Sequence, residues 1–138
     1  MKSKTERRIE FARLISELIL RAYEDHGIEV AIFWLHRTNE QQWALYAIGR
    51  TIELHRKPVT NCDGIKKRSA HQDWEAADLC IIDRKTGEWQ WSRIPEYNIL
   101  GRIAKELNLA WGGDWDGDGI RDPNDFDCFH FEYKESPQ

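Results

Sequence analysis

Asp114-Trp-Asp116-Gly-Asp118-Gly-Ile120-Arg-Asp122-Pro-Asn-Asp125-Phe-Asp127-Cys-Phe-His130 reads as two metal sites joined end to end. The first is a twelve-position calcium loop. A hard cation of this size takes roughly six to eight oxygens, supplied by alternating carboxylates around a sharp turn. Asp114, Asp116 and Asp118 stand at positions one, three and five, a glycine at six, Ile120 at seven for its backbone carbonyl, Asp122 at nine and Asp125 at twelve. The competing reading is an acidic surface turn that binds nothing. Five aspartates this close repel one another without a counter-ion, and the glycine at six adds a further coincidence. Asp125 is shorter than the usual closing Glu, so a modest calcium affinity is expected.

The second site, Asp127-Cys-Phe-His130, gains meaning beside Ser69-Ala-His71-Gln-Asp-Trp-Glu-Ala-Ala-Asp78. Two His and one Asp are an ordinary ligand set for a hydrolytic zinc that keeps its fourth position for water. An acid three residues before the last His places a proton acceptor beside that position. His71 and Asp78 are too far apart for the two-His helical zinc motif and need a loop and a strand, and the strand requirement is what shapes the expected fold.

These blocks resemble the zinc D-alanyl-D-alanine carboxypeptidase and L-alanyl-D-glutamate endopeptidase family, which cleaves peptidoglycan peptides and includes phage endolysins. The shared pattern is Ser-x-His-x6-Asp, followed by an acid-x-x-His near the C-terminus. A first block, Arg37-Thr-Asn-Glu-Gln-Gln-Trp-Ala-Leu-Tyr-Ala-Ile-Gly-Arg-Thr51, is similar to the family's Arg and the Gln-bearing helix after it. Trp74 and Leu35 stand where the family usually has Gly. The resemblance implies that His71, Asp78 and His130 bind zinc, that Asp127 is the acid–base group, and that Arg37 binds or polarises the substrate. Ser69 is expected to donate a hydrogen bond on the substrate side.

At 138 residues the chain is expected to form one domain, residues 1–138, with a single core. Its 41% hydrophobic and 32% charged residues are ordinary for a soluble domain, and a net charge of −4 leaves no electrostatic footprint for nucleic acid. Cys62, Cys80 and Cys128 do not read as a disulfide framework. Cys128 reads as a buried inert thiol, although its parity with His130 would place both on one face of a strand. The seven Trp read mostly as core filling, with a cleft wall as the sharper reading. Arg13 and Glu17 break the N-terminal apolar run, so neither a secretory signal nor a membrane span is expected. Synthesis in the cytoplasm and release to the wall by other machinery follow from that reading.

Ser3 to Glu6 is a capping box, and Phe11, Ile15, Leu18 and Ala22 repeat at helical spacing up to Gly27. Residues 28–35 predict a strand, and Thr38 to Gln41 caps a second helix ending at Gly49. A basic loop over 51–70 delivers Ser69 and His71. Residues 76–82 and 88–92 predict a hairpin, Pro95 opens a helix carrying Ile99, Leu100, Ile103 and Leu107, and Cys128–Tyr133 predicts a closing strand. His26, His36 and His55 lack partners at ligand spacing.

The expectation is therefore an α+β single domain, an antiparallel sheet flanked by helices in the manner of hedgehog and D,D-peptidase proteins. It binds Zn2+ at 71/78/130 and Ca2+ at 114–125, acts on peptidoglycan stem peptides as a monomer, and lacks a separate wall-binding module. Asp at position 127, where carboxypeptidases often carry Glu, favours cleavage between L-Ala and D-Glu. The competing readings are a D-Ala-D-Ala carboxypeptidase, a zinc-stabilised binding domain without catalysis, and a calcium module alone.

Overall fold

The structure, a computed structural model, describes residues 2–114 and 127–135. Asp116, Asp118, Ile120, Asp122 and Asp125 of the expected calcium loop lie outside the described residues. Helix α1 (Lys4–His26) begins at Ser3, whose side chain accepts from the Glu6 amide, and ends at Gly27. Its apolar spacing puts Phe11, Leu14, Ile15, Leu18 and Ala22 on one buried stripe. Strand β1 (Glu29–Trp34) follows, then α2 (Asn39–Ala47), opened by a capping box between Thr38 and Gln41. A long irregular stretch leads to a 3-10 turn (Ala70–Asp73) and strand β2 (Ala76–Ile82). Short strand β3 (Trp89–Gln90), helix α3 (Ile94–Glu106) with Pro95 in its first turn, β4 (Leu109–Trp111) and β5 (His130–Tyr133) complete the described elements.

The sheet runs β1-β2-β5-β4, antiparallel throughout, with β3 also paired to β2. Side chains alternate across a pleated strand, so β2 separates two faces. Ala77, Leu79 and Ile81 join Val30, Phe131 and Tyr133 in one core with the stripes of α1 and α3. Asp78, Cys80 and Ile82 take the opposite face. Tyr97 of α3 is fully buried in the core, where its hydroxyl accepts from the Ile81 amide at 3.0 Å and donates to the Gln90 carbonyl at 2.9 Å. Both hydrogen-bonding capacities of the phenol are thereby satisfied, and burial pushes its pKa up to about 12.

Several expectations need correction. Leu109–Trp111 is a strand that the sequence pattern did not predict, and its partner β5 starts at His130, not Cys128. The start is late because the His130 amide donates to the Asp127 carbonyl at 3.1 Å, holding residues 127–130 in a turn. Cys128 therefore does not share a strand face with His130; it is buried in the core cluster. Tryptophan is mostly not core filling. Trp34, Trp43, Trp74, Trp89 and Trp91, five of the six described tryptophans, are exposed, and Trp111 packs partly buried against the core. Helix α2 likewise turns Gln42, not Trp43, to the interior.

Candidate metal centre

Asp78 sits where three strands meet: its Cα pairs with Trp34 of β1 on one side and with His130 of β5 on the other. Ladder partners project from the same face, so the pairing alone sets His130 beside Asp78. His71 arrives from the 3-10 turn. That turn is held by the Ser69 hydroxyl, which accepts from the His71 amide at 3.3 Å, and by Gln72, whose side chain accepts from the Ser69 amide at 2.8 Å. Ser69 thus helps to place His71. Ligand atoms of His71, Asp78 and His130 all lie within 4.8 Å of one another.

Each imidazole is oriented by its second nitrogen. His71 Nδ1 lies 2.8 Å from the Leu35 carbonyl, an acceptor, so this nitrogen carries the proton and Nε2 turns its lone pair towards Asp78 Oδ1 at 3.4 Å. His130 Nε2 donates to Glu132 Oε1 at 2.9 Å, and its Nδ1 stands 3.4 Å from the same Asp78 oxygen. Metal-ligating imidazoles characteristically donate their other N–H to a carbonyl or carboxylate in this way. His71 Nε2 and Asp78 Oδ1 are buried without a hydrogen-bond partner, a costly state for polar atoms that a cation between them relieves. The donor set of two imidazoles and one carboxylate fits zinc.

The electrostatics agree. Burial pushes the Asp78 carboxyl up, but the His130 and His71 imidazoles 3.4 Å from its Oδ1 outweigh it and hold the group well below the usual carboxylate range. Burial pushes His130 down, and the Asp78 and Glu132 carboxylates more than reverse this, raising it to about 9. Asp127 is raised, chiefly by burial and also by the Asp78 charge, against the opposing pull of His130, His71 and Arg37.

Arg37 completes the group. Its guanidinium lies 3.8 Å from Asp78 Oδ2 and 6.0 Å from the centre of the Trp34 ring, and its amide donates to the His71 carbonyl at 3.2 Å. Desolvation lowers its pKa, opposed by Asp78 and Asp127. Fully buried Gln42 accepts from Arg37 at 3.0 Å and donates to Thr60 and Cys62, tying Arg37 to the 60–64 loop. Asp127 is anchored through its backbone, whose amide donates to Gly112 O at 3.2 Å; a Cβ on Gly112 would lie 2.2 Å from the Asp127 carbonyl oxygen, so only glycine fits there. Of the residues expected from sequence to bind calcium, Asp114 alone is described; its amide donates to the Trp111 carbonyl at 3.1 Å.

Gln42, Glu132 and Gly112 escaped the sequence reading. Glu132 was accessible in principle, since it stands two residues after His130 and hence on the same strand face. Gln42 matters through its bond to Arg37 five residues away and its ties to Thr60 and Cys62, and Gly112 through its contact with Asp127, none of which a local pattern marks.

No family model matches the chain. In sequence it is similar to the L-alanyl-D-glutamate peptidase of Listeria phage A118, 33% identical over 94 residues, which are 68% of this chain and 29% of that protein. The chain therefore spans less than a third of the length of this curated relative. In fold it is similar to Serratia marcescens L-Ala D-Glu endopeptidase ChiX, with a TM-score of 0.53, 19% identity, and coverage of 89% of this chain and 79% of that one. It is also similar to the vancomycin resistance D,D-pentapeptidase VanY from a VanB-type resistance cassette, in complex with Zn(II), with a TM-score of 0.58, 15% identity, and coverage of 91% and 71%. Sequence similarity and fold together support the family that the motifs resemble, the zinc D-alanyl-D-alanine carboxypeptidase and L-alanyl-D-glutamate peptidase family.

Proposed function

We propose that the chain is a zinc-dependent peptidase of peptidoglycan stem peptides, cutting between L-Ala and D-Glu. The observation that carries this reading is the convergence of His71, Asp78 and His130 within 4.8 Å, each imidazole already turned by a second acceptor. Zinc, when bound, supplies a Lewis acid that polarises the scissile carbonyl and eases ionisation of the attacking water. Asp127 accepts the water's proton and returns it to the leaving amine, a task that its raised pKa favours. Arg37, fixed by Gln42 and backed by Asp78, presents positive charge to the oxygen that becomes negative or to a substrate carboxylate. The similarity to a phage L-alanyl-D-glutamate peptidase supports the choice of bond. Mass spectrometry of digested peptidoglycan decides it: new N-terminal D-Glu is expected, whereas free D-Ala as the sole product favours the carboxypeptidase reading, and no product at all contradicts both.

We further propose that calcium at residues 114–125 controls the placement of Asp127. Asp125, the closing ligand, precedes Asp127 by two residues, which span at most about 7 Å, so ordering one constrains the other. Zinc-loaded protein titrated with calcium against a selective chelator should gain activity, and Asp116→Ala with Asp118→Ala should abolish the gain. Activity that stays flat across the titration with the fold intact restricts calcium to a structural role.

A further inference from the structure

We propose that Phe33, Trp34, Trp89 and Trp91 form a platform for the amino-sugar strand from which the stem peptide hangs. The proposal rests on the reading of the site as an L-Ala–D-Glu peptidase. These side chains are 37–49% exposed, although aromatic rings normally gain most by burial. Trp89 pairs with Ile82, on the sheet face that carries Asp78 and faces away from α1 and α3. Phe33 meets the Trp89 ring edge to face at 4.5 Å and the Trp91 ring at 5.4 Å, and the two tryptophans meet at 5.0 Å. Trp91 also rests on Phe129 at 4.6 Å. The mutual contacts fix the rings before any ligand arrives, which lowers the entropy cost of binding. A pyranose presents a row of C–H bonds that matches the negative face of such rings.

The platform is continuous with the metal centre. Trp34 contacts Phe33 at 6.4 Å, lies beneath the Arg37 guanidinium and is paired with Asp78 itself. From Asp78 to Ile82 is four strand residues, so the face extends about 13 Å from the centre. The L-Ala–D-Glu bond is one residue from the lactyl ether that joins the peptide to its sugar. At about 3.3–3.6 Å per extended residue, the first sugar lies within about 7 Å of the scissile bond, over the platform. A D-Ala-D-Ala bond lies three residues further along the peptide, at about 18 Å, beyond the platform's reach.

The test uses glycan strands stripped of peptide by an amidase, titrated into zinc-loaded protein while tryptophan emission is followed. In parallel, hydrolysis is measured on a disaccharide-linked stem peptide and on the same peptide without sugar. The stripped glycan should bind, and the sugar-linked peptide should be cut with roughly tenfold higher kcat/KM. Trp89→Ala with Phe33→Ala should remove both effects and leave the rate on the sugar-free peptide unchanged, and Trp89→Tyr should restore part of each. Failure of the wild type to bind stripped glycan, or equal cutting of both peptides, overturns the platform while leaving the peptidase reading intact. If neither peptide is cut, the peptidase reading fails and the glycan titration still decides the platform. A dimer in sedimentation velocity that Trp89→Ala dissolves, without glycan binding, assigns the face to a second copy and overturns the proposal.

Discussion

Glu132 shows how much of a candidate metal site lies outside the three residues that could hold the ion. By accepting from His130 Nε2 at 2.9 Å it fixes which nitrogen of His130 faces Asp78. Glu132→Gln should weaken zinc binding about 10- to 100-fold without unfolding the chain. Competition with a chromophoric chelator measures this, and unchanged affinity would remove Glu132 from the site. The same contact makes the centre sensitive to pH. His130 is raised to about 9 in the metal-free protein, so a proton must leave before zinc enters. Apparent zinc affinity should therefore fall as pH drops below about 9, approaching tenfold per pH unit. For the metal-free protein the sign is opposite. A His whose folded pKa is raised contributes stability that is full below its unfolded pKa of about 6.5 and is lost as pH rises through about 9. Melting of chelator-treated protein should fall across that window, and a flat profile would contradict the Asp78–His130–Glu132 coupling. At Asp127 the expected outcome is separate: Asp127→Ala keeps zinc and fold and loses about 10²- to 10⁴-fold in turnover on purified peptidoglycan. Near-wild-type turnover by the zinc-loaded variant would exclude it as the acid–base group.

At the scale of elements, the helices were readable because each announces itself locally. Ser3 and Thr38 supply caps, and the Phe11–Ala22 stripe repeats at helical spacing. Strand β4 was not, because three residues before a Gly pair carry no periodicity and become a strand only by pairing with β5. The 3-10 turn at 70–73 ends in Trp74 at φ 62°, a left-handed position rare for a bulky residue, and that ring stacks on His36 at 3.9 Å. A Trp where the family usually has Gly is legible in sequence, but its stacking partner is not. The α3–β4 corner offers a stability test. A Cβ on Gly101 would lie 2.3 Å from the Trp111 ring, whose Nε1 donates to the Cys128 carbonyl at 2.8 Å within the 127–130 turn. Gly101→Ala should cost about 1–3 kcal/mol in denaturant unfolding. An unchanged midpoint would mean that Trp111 moves aside freely.

Across the whole molecule, one sheet divides the labour. Helices α1 and α3 cover one face and make the core; the other face holds His71, Asp78 and His130 and continues into the aromatic rings. His71, Asp78 and His130 were legible as residue types at particular spacings, and the antiparallel order β1-β2-β5 is what sets Asp78 beside His130. The tryptophans were misread because composition counts aromatic residues without telling which face they occupy. Among the described residues no helix is long and apolar enough to cross a membrane. Zinc that binds the folded chain alone should stabilise it by about 2.7 kcal/mol at one hundred times its dissociation constant. The most direct test of the central claim is metal analysis of purified wild type beside His71→Ala, Asp78→Ala and His130→Ala, each checked for fold by circular dichroism. One zinc per wild-type chain and loss of zinc from every folded variant is the expected result; full zinc occupancy in any two of the variants would contradict the assignment.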